Sequence, residues 1–120
     1  TFSPSVSYAI SEKLHSDSDN NKPDNLSSIQ INSIAVCAGS GSSVLRSYAG
    51  KVDLIVTGEL SHHEVLNFTE NGTNVVLTFH SNSERGYLRE YIKKMLETEL
   101  DNEVEVVVSE MDCDPLLNLC

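Results

Sequence analysis

The segment "VDLIVTGELSHHEVLNFTENG", residues 52–72, decides the fold, because its hydrophobic pattern changes halfway along. Its first half holds an unbroken apolar run, Leu54–Val56, which is typical of a strand buried on both faces of a sheet. In its second half Ser61 and Glu64 form an S-x-x-E capping box, and Asn71-Gly72 provides a helix stop. The segment therefore predicts a strand followed directly by a helix.

The same pattern recurs on both sides of that segment. "IQINSIAVCAG" (29–39) and "TNVVLTFH" (73–80) are candidate buried strands, and "GSGSSVLRSYAG" (39–50) predicts a turn and a short helix. A longer helix over 84–100 has one apolar face, and "NEVEVVVSE" (102–110) alternates like an edge strand. This order predicts an α/β protein with a mostly parallel sheet of about four strands and covering helices.

Three parts are expected along the chain. Residues 1–15 open with Ser3-Pro4, an N-cap pair, and their apolar residues share one helical face, so we expect a helix from a preceding part. Residues 16–28 are polar and acidic and predict a flexible linker, and residues 29–120 form the C-terminal α/β domain. Because the first residue is Thr1 rather than Met, we expect that sequence is missing upstream.

The charge balance argues against two classes of partner. Eight Lys and Arg residues stand against 18 Asp and Glu, for a net charge of −10 in 120 residues. Proteins that grip nucleic-acid phosphates need basic binding faces, and anionic membrane surfaces attract the same residues, so we expect neither partner. Three dispersed cysteines without a CxxC motif favour a reduced compartment, and we expect a cytoplasmic protein.

Polar residues follow each of three predicted strands, in "AGSGSS", "TGELSHHE" and "FHSNSE". Because ligands gather at the carboxyl ends of parallel strands, these three segments should meet at one rim of the sheet. The first of them offers backbone N–H groups for an anion, although a plain tight turn is the favoured interpretation without further glycines or a lysine. This candidate anion loop consists of Gly39, Ser40, Gly41, Ser42 and Ser43.

The second segment offers two candidate catalytic residues. Glu59 lies at the exit of its strand and could reach the rim, or it is simply a charged loop residue. His63 is better placed than His62 to face the rim, and contact with substrate or with a metal ligand is as good an interpretation as metal ligation itself. Glu64 is expected to serve as the acid of the capping box.

His80 and Glu84 form the sharpest pair in the sequence. His80 ends a predicted strand and Glu84 follows one turn into the next helix, so both could bind one ion such as Zn, Fe or Mn. The alternative is structural, because Ser81 and Glu84 also fit an S-x-x-E cap. Two ligands are too few for a closed metal site, so other donors would have to come from elsewhere.

Four motifs, "VCAGSGSS", "TGELSHHEVL", "HSNSERGYL" and "SEMDCDPL", resemble the C-terminal half of the Ngg-interacting-factor-three-like family. The family is also called the GTP cyclohydrolase one type two homologue family, and the resemblance runs from about Ile34 to Leu116. Its eukaryotic branch fits best. The resemblance implies half of a larger α/β protein with a dinuclear metal centre, assembled as a toroidal homo-oligomer, often a hexamer. It also implies that His80 and Glu84, which match the family's H-x-x-x-E motif, are metal ligands.

The resemblance further implies that a first half, absent from this chain, donates a double histidine and an aspartate to the two ions. Metal occupancy of this chain alone is therefore expected to be incomplete. Two functions follow from the resemblance. One is a metal-dependent hydrolase acting on a nucleotide-like substrate. The other is a scaffold in the cytoplasm and nucleus that binds transcriptional co-regulator proteins, with a structural metal.

Overall fold

The computed structural model describes residues 6–11, 26 and 29–115. It divides the chain into two compact units, Thr1–Ser83 and Glu84–Cys120. The strands are β1 (Ser7–Ala9), β2 (Ile34–Ser40), β3 (Leu54–Glu59) and β4 (Asn74–Leu77). The helices are α1 (Ser42–Leu45), continued by a 3-10 turn Arg46–Tyr48, then α2 (His62–Glu70), α3 (His80–Tyr87) and α4 (Lys93–Glu99).

The four strands form one sheet in the order β1-β4-β3-β2. β2 pairs with β3 and β3 with β4, both in parallel, while β1 pairs with β4 in the antiparallel direction. The prediction of an α/β fold with a mostly parallel sheet is therefore confirmed. Each parallel pair is joined by a helical crossover, α1 between β2 and β3 and α2 between β3 and β4.

The core of the first unit lies between the sheet and its two crossover helices. Ile55 of β3 and Val75 of β4 occupy neighbouring positions of the parallel ladder, and both are buried. Leu45 of α1 and Phe68 of α2 pack against them in one cluster. Burying such a side chain contributes about 1.5–3 kcal/mol, so this four-residue cluster accounts for the docking of both helices on the sheet.

The opposite face of the sheet carries apolar side chains that stay exposed. Val36, Val56 and Val76 lie in register across three strands, and Tyr8 continues the row on β1. Val36 is 69% exposed and Tyr8 is 58% exposed at the two ends of this row, while Val56 and Val76 between them are half-buried. The first unit therefore has one well-covered face and one open face.

The prediction of a helix over residues 1–15 was wrong where the structure describes this segment. Residues 7–9 form β1, at the edge of the sheet, and residues 1–5 and 12–15 lie outside the described residues. Val6, Tyr8 and Ile10 alternate with small residues, a period of two that suits a strand. β1 is held at its end by buried Asn74, whose Oδ1 accepts a hydrogen bond from the Ser11 N–H at 3.0 Å.

Two further predictions concern the flanks of the domain. Of the linker predicted over 16–28, only Leu26 lies within the described residues. The strand predicted over 102–110 was wrong, because these residues form no strand in the described part of the chain. Three valines alternate there, but a strand also needs a partner edge, and no described strand pairs with this segment.

In the second unit, α3 passes into a π-helical turn, Leu88–Ile92, and then into α4. The helix ends where Asp101 and Asn102 adopt positive φ, at 50° and 58°, and the Asn102 N–H bonds to the Glu97 carbonyl at 2.9 Å. Such left-handed residues are the usual way to close a helix. Among the described residues, no helix has both the length and the apolar character to cross a membrane.

Candidate functional site at the carboxyl end of the sheet

Three chain segments meet at the carboxyl ends of β2, β3 and β4, as their parallel pairing requires. The Gly39 N–H donates to the Ser83 hydroxyl at 2.7 Å, and that hydroxyl donates to the His80 carbonyl at 2.6 Å. Ser83 therefore links the end of β2 to the first turn of α3. The convergence of strand ends that the sequence predicted is present within the first unit.

Gly58, the residue before the last of β3, makes this close meeting sterically feasible. A Cβ atom at Gly58 would lie 2.6 Å from the Gly39 carbonyl oxygen and 2.7 Å from the Ser83 hydroxyl. It would also lie 3.0 Å from the Cα atom of His80. No side chain fits there, so glycine is the residue that this crossing requires.

Glu59 and His80 form the central contact of the rim. The Glu59 Oε1 and the His80 Nδ1 are 2.9 Å apart, with side chains 56% and 46% exposed respectively. Phe79, directly before His80, has a φ of 68°, a conformation that bulky residues rarely adopt. Such strain often marks functional sites, and here it turns the chain from β4 into α3 so that the imidazole reaches the end of β3.

The sequence placed His80 at a strand end, but the structure places it as the first residue of α3. β4 ends three residues earlier, at Leu77. Glu84 is the fifth residue of the same helix and falls in the second compact unit. The pairing of His80 with Glu84 as ligands stays a prediction, as does its structural alternative at Ser81.

The loop Gly39–Ser43, predicted as an anion cradle, uses two of its N–H groups inside the protein. Gly39 donates to the Ser83 hydroxyl, and Gly41 donates to the Thr57 hydroxyl at 3.2 Å. The Thr57 hydroxyl in turn donates to the Gly39 carbonyl at 3.2 Å. These bonds account for the loop's shape as a tight turn, and anion binding stays a prediction.

The capping box at the start of α2 is confirmed. The Ser61 N–H donates to the Glu64 carboxylate at 2.8 Å, and the Ser61 hydroxyl accepts from the Glu64 N–H. The Ser42 hydroxyl of α1 donates to the same carboxylate. Hydrogen bonds from Ser42 first and then Ser61 lower the pKa of Glu64 from 4.5 to about 2. Glu64 is therefore an ionised structural link between the starts of two helices.

His63 faces a different surface from the Glu59–His80 pair. It lines an open groove of about 480 Å³ between α1 and α2, which also contains Arg46, Glu64 and Asn67. Its ring lies 5.8 Å from that of His62, in an edge-to-face arrangement. Among the described residues, no hydrogen bond or ion pair joins His63 to Glu59 or His80. The structure thus brings together two of the three predicted catalytic and ligand residues of the first unit.

Sequence reasoning named Glu59 and His80 separately but missed their contact and the role of Ser83. The signal was present in the parallel register, since a strand's last residue and the start of the next crossover share one rim. It also missed Arg85, which in the second unit donates to Asp112 at 2.6 and 3.0 Å and to Asp114 at 3.1 Å. That fork joins the "HSNSERGYL" and "SEMDCDPL" stretches and raises the pKa of Arg85 through the Asp112 hydrogen bonds.

The fit of these residues to a metal ion is partial. A ligating histidine commonly donates its other ring N–H to a carboxylate, and the Glu59–His80 contact has that form. Within the described ranges, however, no group of three or more His, Cys, Asp or Glu residues could hold an ion. The donor set therefore suits one ligand with its orienting partner, and a complete site needs further donors.

Comparison with known proteins yields one family. Residues 6–115 match the model of the family described as Duf34/NIF3 (NGG1p interacting factor 3). NGG1-interacting factor 3 of Saccharomyces cerevisiae is 52% identical over 88 residues, covering 73% of this chain and 30% of that protein. NIF3-like protein 1 of Homo sapiens is 47% identical over 87 residues, covering 72% of this chain and 22% of that protein. The chain thus spans less than a third of the length of these relatives.

Solved structures agree on the fold. The Staphylococcus aureus protein SA1388 superposes with a TM-score of 0.65 at 23% identity, covering 97% of this chain and 30% of that one. A Bacillus cereus protein related to NIF3 gives a TM-score of 0.55 at 23% identity, covering 74% of this chain and 25% of that one. At this identity the similarity establishes a common fold.

Proposed function

This chain belongs to the Duf34/NIF3 family, and from that premise we propose that it forms the C-terminal part of a metal-dependent hydrolase with a dinuclear centre. His80 and Glu84 are the ligands that this part contributes. The observation that carries the proposal is the 2.9 Å contact between Glu59 and His80 at the carboxyl rim of the sheet. An imidazole held in this way by a carboxylate is typical of metal ligands.

The location and the chemistry of the donors support the proposal. Imidazole and carboxylate ligands suit Zn, Fe or Mn, and the rim is where open α/β sheets bind their ligands. Two such ions, when bound, supply an activated water and stabilise charge at the reacting centre. The remaining ligands would come from the part of the relatives' length that this chain does not span.

The chain's own residues would then have separate roles. His80 would bind through its imidazole ring and Glu84 through its carboxylate, both from α3. His63 lines the groove between α1 and α2 and would contact substrate instead of the ions. The family label gives a nucleotide-like molecule as the substrate class, and the Gly39–Ser43 loop is the proposed contact for its anionic group.

The test is hydrolysis of a nucleotide panel by the intact protein, purified without chelators and supplied with Zn, Mn or Fe. We expect turnover that the double variant His80→Ala/Glu84→Ala loses by at least about a hundredfold, as ligand loss removes the activated water. A Glu70→Ala variant, exposed at the end of α2, serves as the control and should keep full activity. Equal rates for the wild type and the double variant would contradict the proposal.

A second candidate function is a protein-binding scaffold in which the metal is structural. One observation favours it: apolar side chains of the second unit stay exposed along the helix, including Tyr91 at 66% and Met95 at 50%. The name of the yeast relative says that it interacts with NGG1, and a transcriptional co-regulator is the partner class proposed here. The proposal includes a cytoplasmic and nuclear location and a toroidal, hexameric homo-oligomer.

Capture of co-regulator proteins by the tagged intact protein separates the two functions. The scaffold proposal expects His80→Ala/Glu84→Ala to retain the partner at wild-type levels in an assay with purified components. Loss of the partner together with the metal would count against a metal-independent scaffold. Imaging of the tagged protein in both compartments checks its location.

A further inference from the structure

Neither proposed function gives Glu59 a role of its own, although its contact with His80 lies at the centre of the rim. Glu59 is the last residue of β3, and His80 is the first residue of α3, 21 positions later in the chain. The Glu59 Oε1 meets Nδ1 and thereby singles out one of the two ring nitrogens of His80. Which nitrogen carries the proton in an imidazole is set by the partner of the other, so the choice has chemical consequences.

We infer that Glu59 is a positioning residue, whose carboxylate keeps the His80 proton on Nδ1 and so presents Nε2 as the metal-binding atom. The inference rests on the proposed function. An ionised carboxylate can only accept hydrogen bonds, so the Nδ1 atom facing it must donate. A neutral imidazole has a single N–H, and with that proton on Nδ1 the lone pair belongs to Nε2.

The backbone on both sides of this contact is held in place independently of the carboxylate. The Ser83 hydroxyl donates to the His80 carbonyl at 2.6 Å, and the Ser83 N–H donates to the Phe79 carbonyl at 3.1 Å. On the other side Gly58 allows β3 to approach the His80 Cα atom. Glu59 therefore acts on a ring whose main chain is already fixed, and its loss should change the ring's orientation and tautomer while the fold persists.

Two other roles for Glu59 make different predictions. As a metal ligand it would need its charge at the ion, so glutamine would fail as badly as alanine. As a purely structural residue its loss would lower stability and leave the metal affinity unchanged. A positioning residue lies between these, because the glutamine side-chain oxygen can still accept from Nδ1 without the charge.

The first measurement uses the metal-free intact protein with 15N-labelled histidine at mildly alkaline pH, about pH 8.5, which favours the neutral form of imidazole. In the wild type we expect the NMR signals of His80 to report a proton on Nδ1. Glu59→Ala should move that proton population towards Nε2, and Glu59→Gln should largely retain the wild-type tautomer. A wild-type proton on Nε2, or a tautomer that does not depend on Glu59, would overturn the inference.

The second measurement is the affinity for Zn²⁺ by competition with a chelating dye. Glu59→Ala should weaken binding about 10- to 100-fold, the usual effect of removing an outer partner of a ligating histidine. Glu59→Gln should weaken it by less than about tenfold, and Glu70→Ala should leave it unchanged. An equal loss of Zn²⁺ affinity in Glu59→Gln and Glu59→Ala would identify Glu59 as a ligand and overturn the positioning role.

These outcomes also separate the inference from the proposed function. A wild type that binds no divalent ion removes the hydrolase proposal, whatever the tautomer of His80. A wild type that binds the ion with unchanged affinity in Glu59→Ala removes the inference alone. Thermal unfolding of the metal-free variants within about 2 °C of the wild type shows that the fold persists, since both side chains are half-exposed.

Discussion

Gly58 is the residue on which the geometry of the rim depends most directly. The backbone at Gly39 and His80 and the Ser83 side chain approach it so closely that a single added carbon would overlap the Gly39 carbonyl oxygen and the Ser83 hydroxyl. Neither neighbour is the end of a flexible chain, because Ser83 is itself bonded to Gly39 and His80. The Glu59–His80 contact therefore depends on the absence of a side chain at Gly58.

We expect Gly58→Ala to lower the free energy of unfolding by about 1–3 kcal/mol, the cost of forcing extra volume into a packed site. Urea denaturation of the metal-free protein measures it. Gly86→Ala is the matched control, because the same added carbon meets nothing within 4 Å in α3. It should be neutral or stabilising by about 0.5–1 kcal/mol. Equal effects of the two substitutions would show that the crossing at Gly58 is not sterically limited.

Candidate residues at this scale could be predicted one by one, but their contacts could not. Glu59 and His80 were each recognisable as polar residues at strand ends. Their pairing depends on the positive φ of Phe79, which brings the His80 ring to 2.9 Å from the Glu59 carboxylate. No local sequence pattern predicts that backbone conformation. Ser83 was missed for the same reason, since its two bonds reach across the sheet to Gly39 as well as along its own helix.

Among the elements, α2 has the most complete set of start and stop signals in its own sequence. Its N-terminal box, its length and its stop at Asn71-Gly72, where Gly72 has a φ of 97°, all agree with the sequence. The carboxylate of Glu64 also accepts a hydrogen bond from Ser42 of α1, so the box joins two helices. This junction makes the stability of the first unit depend on the charge of one side chain.

The pH dependence of that junction can be predicted in sign. The pKa of Glu64 is lowered from 4.5 to about 2, so its ionised form stabilises the folded state fully above about pH 4.5 and progressively less as the pH falls towards 2. Glu64→Gln keeps a side chain that can cap but removes the charge. We expect the free energy of unfolding of the wild type to exceed that of Glu64→Gln by about 1 kcal/mol near pH 7, a value that allows for solvent screening.

Urea denaturation between pH 7 and pH 2.5 measures this difference. It should shrink as the pH falls below 4.5, in the direction given by the lowered pKa of Glu64. Glu70→Gln, exposed on the same helix, makes the same chemical change away from the junction and is the control. A difference between the wild type and Glu64→Gln that grew on acidification would contradict the assignment of the lowered pKa.

Elements whose signals are local were predicted well, and elements that depend on a distant partner were not. α1, β3 and α2 carry their own starts and stops in a few residues, whereas β4 was predicted as a strand but ends at Leu77, three residues before the predicted end. β1 consists of three residues that exist as a strand because β4, more than 60 positions away, offers an edge, as the pairing of Ser7 with Leu77 shows. The segment "NEVEVVVSE" is the opposite case: its valines alternate as in a strand, but no strand in the described part of the chain pairs with it.

At the scale of the whole molecule, the exposed apolar surface is the main unexplained feature. The open face of the sheet belongs to the first unit, and the apolar side of the helix from Leu88 to Leu100 belongs to the second. Exposed apolar patches on either unit are the kind of surface that usually marks contact with other polypeptide. The chain spans 30% of the yeast relative and 22% of the human relative, so further polypeptide exists in those proteins.

We expect the double substitution Tyr91→Glu/Met95→Glu to weaken subunit assembly of the intact protein by at least about tenfold, since charges would enter an apolar contact. Because both side chains are exposed, the fold of the chain itself should change in stability by less than about 0.5 kcal/mol. Analytical ultracentrifugation measures the assembly. Lys94→Glu, exposed on the same helix, is the control, and wild-type assembly of the double variant would argue against this helix as a subunit contact.

β1 has a practical consequence for how this protein can be shortened. The strand covers the outer edge of β4 by three residue pairs and is fastened by the bond from Ser11 to Asn74. A product trimmed to start after residue 11 would leave the backbone N–H and C=O groups on the outer edge of β4 unpaired, and such bare edges recruit strands from other molecules. We therefore expect that deletion boundaries, expression tags and protease sites are best placed upstream of Val6. There they leave β1 paired with β4, so that the edge of the sheet stays covered.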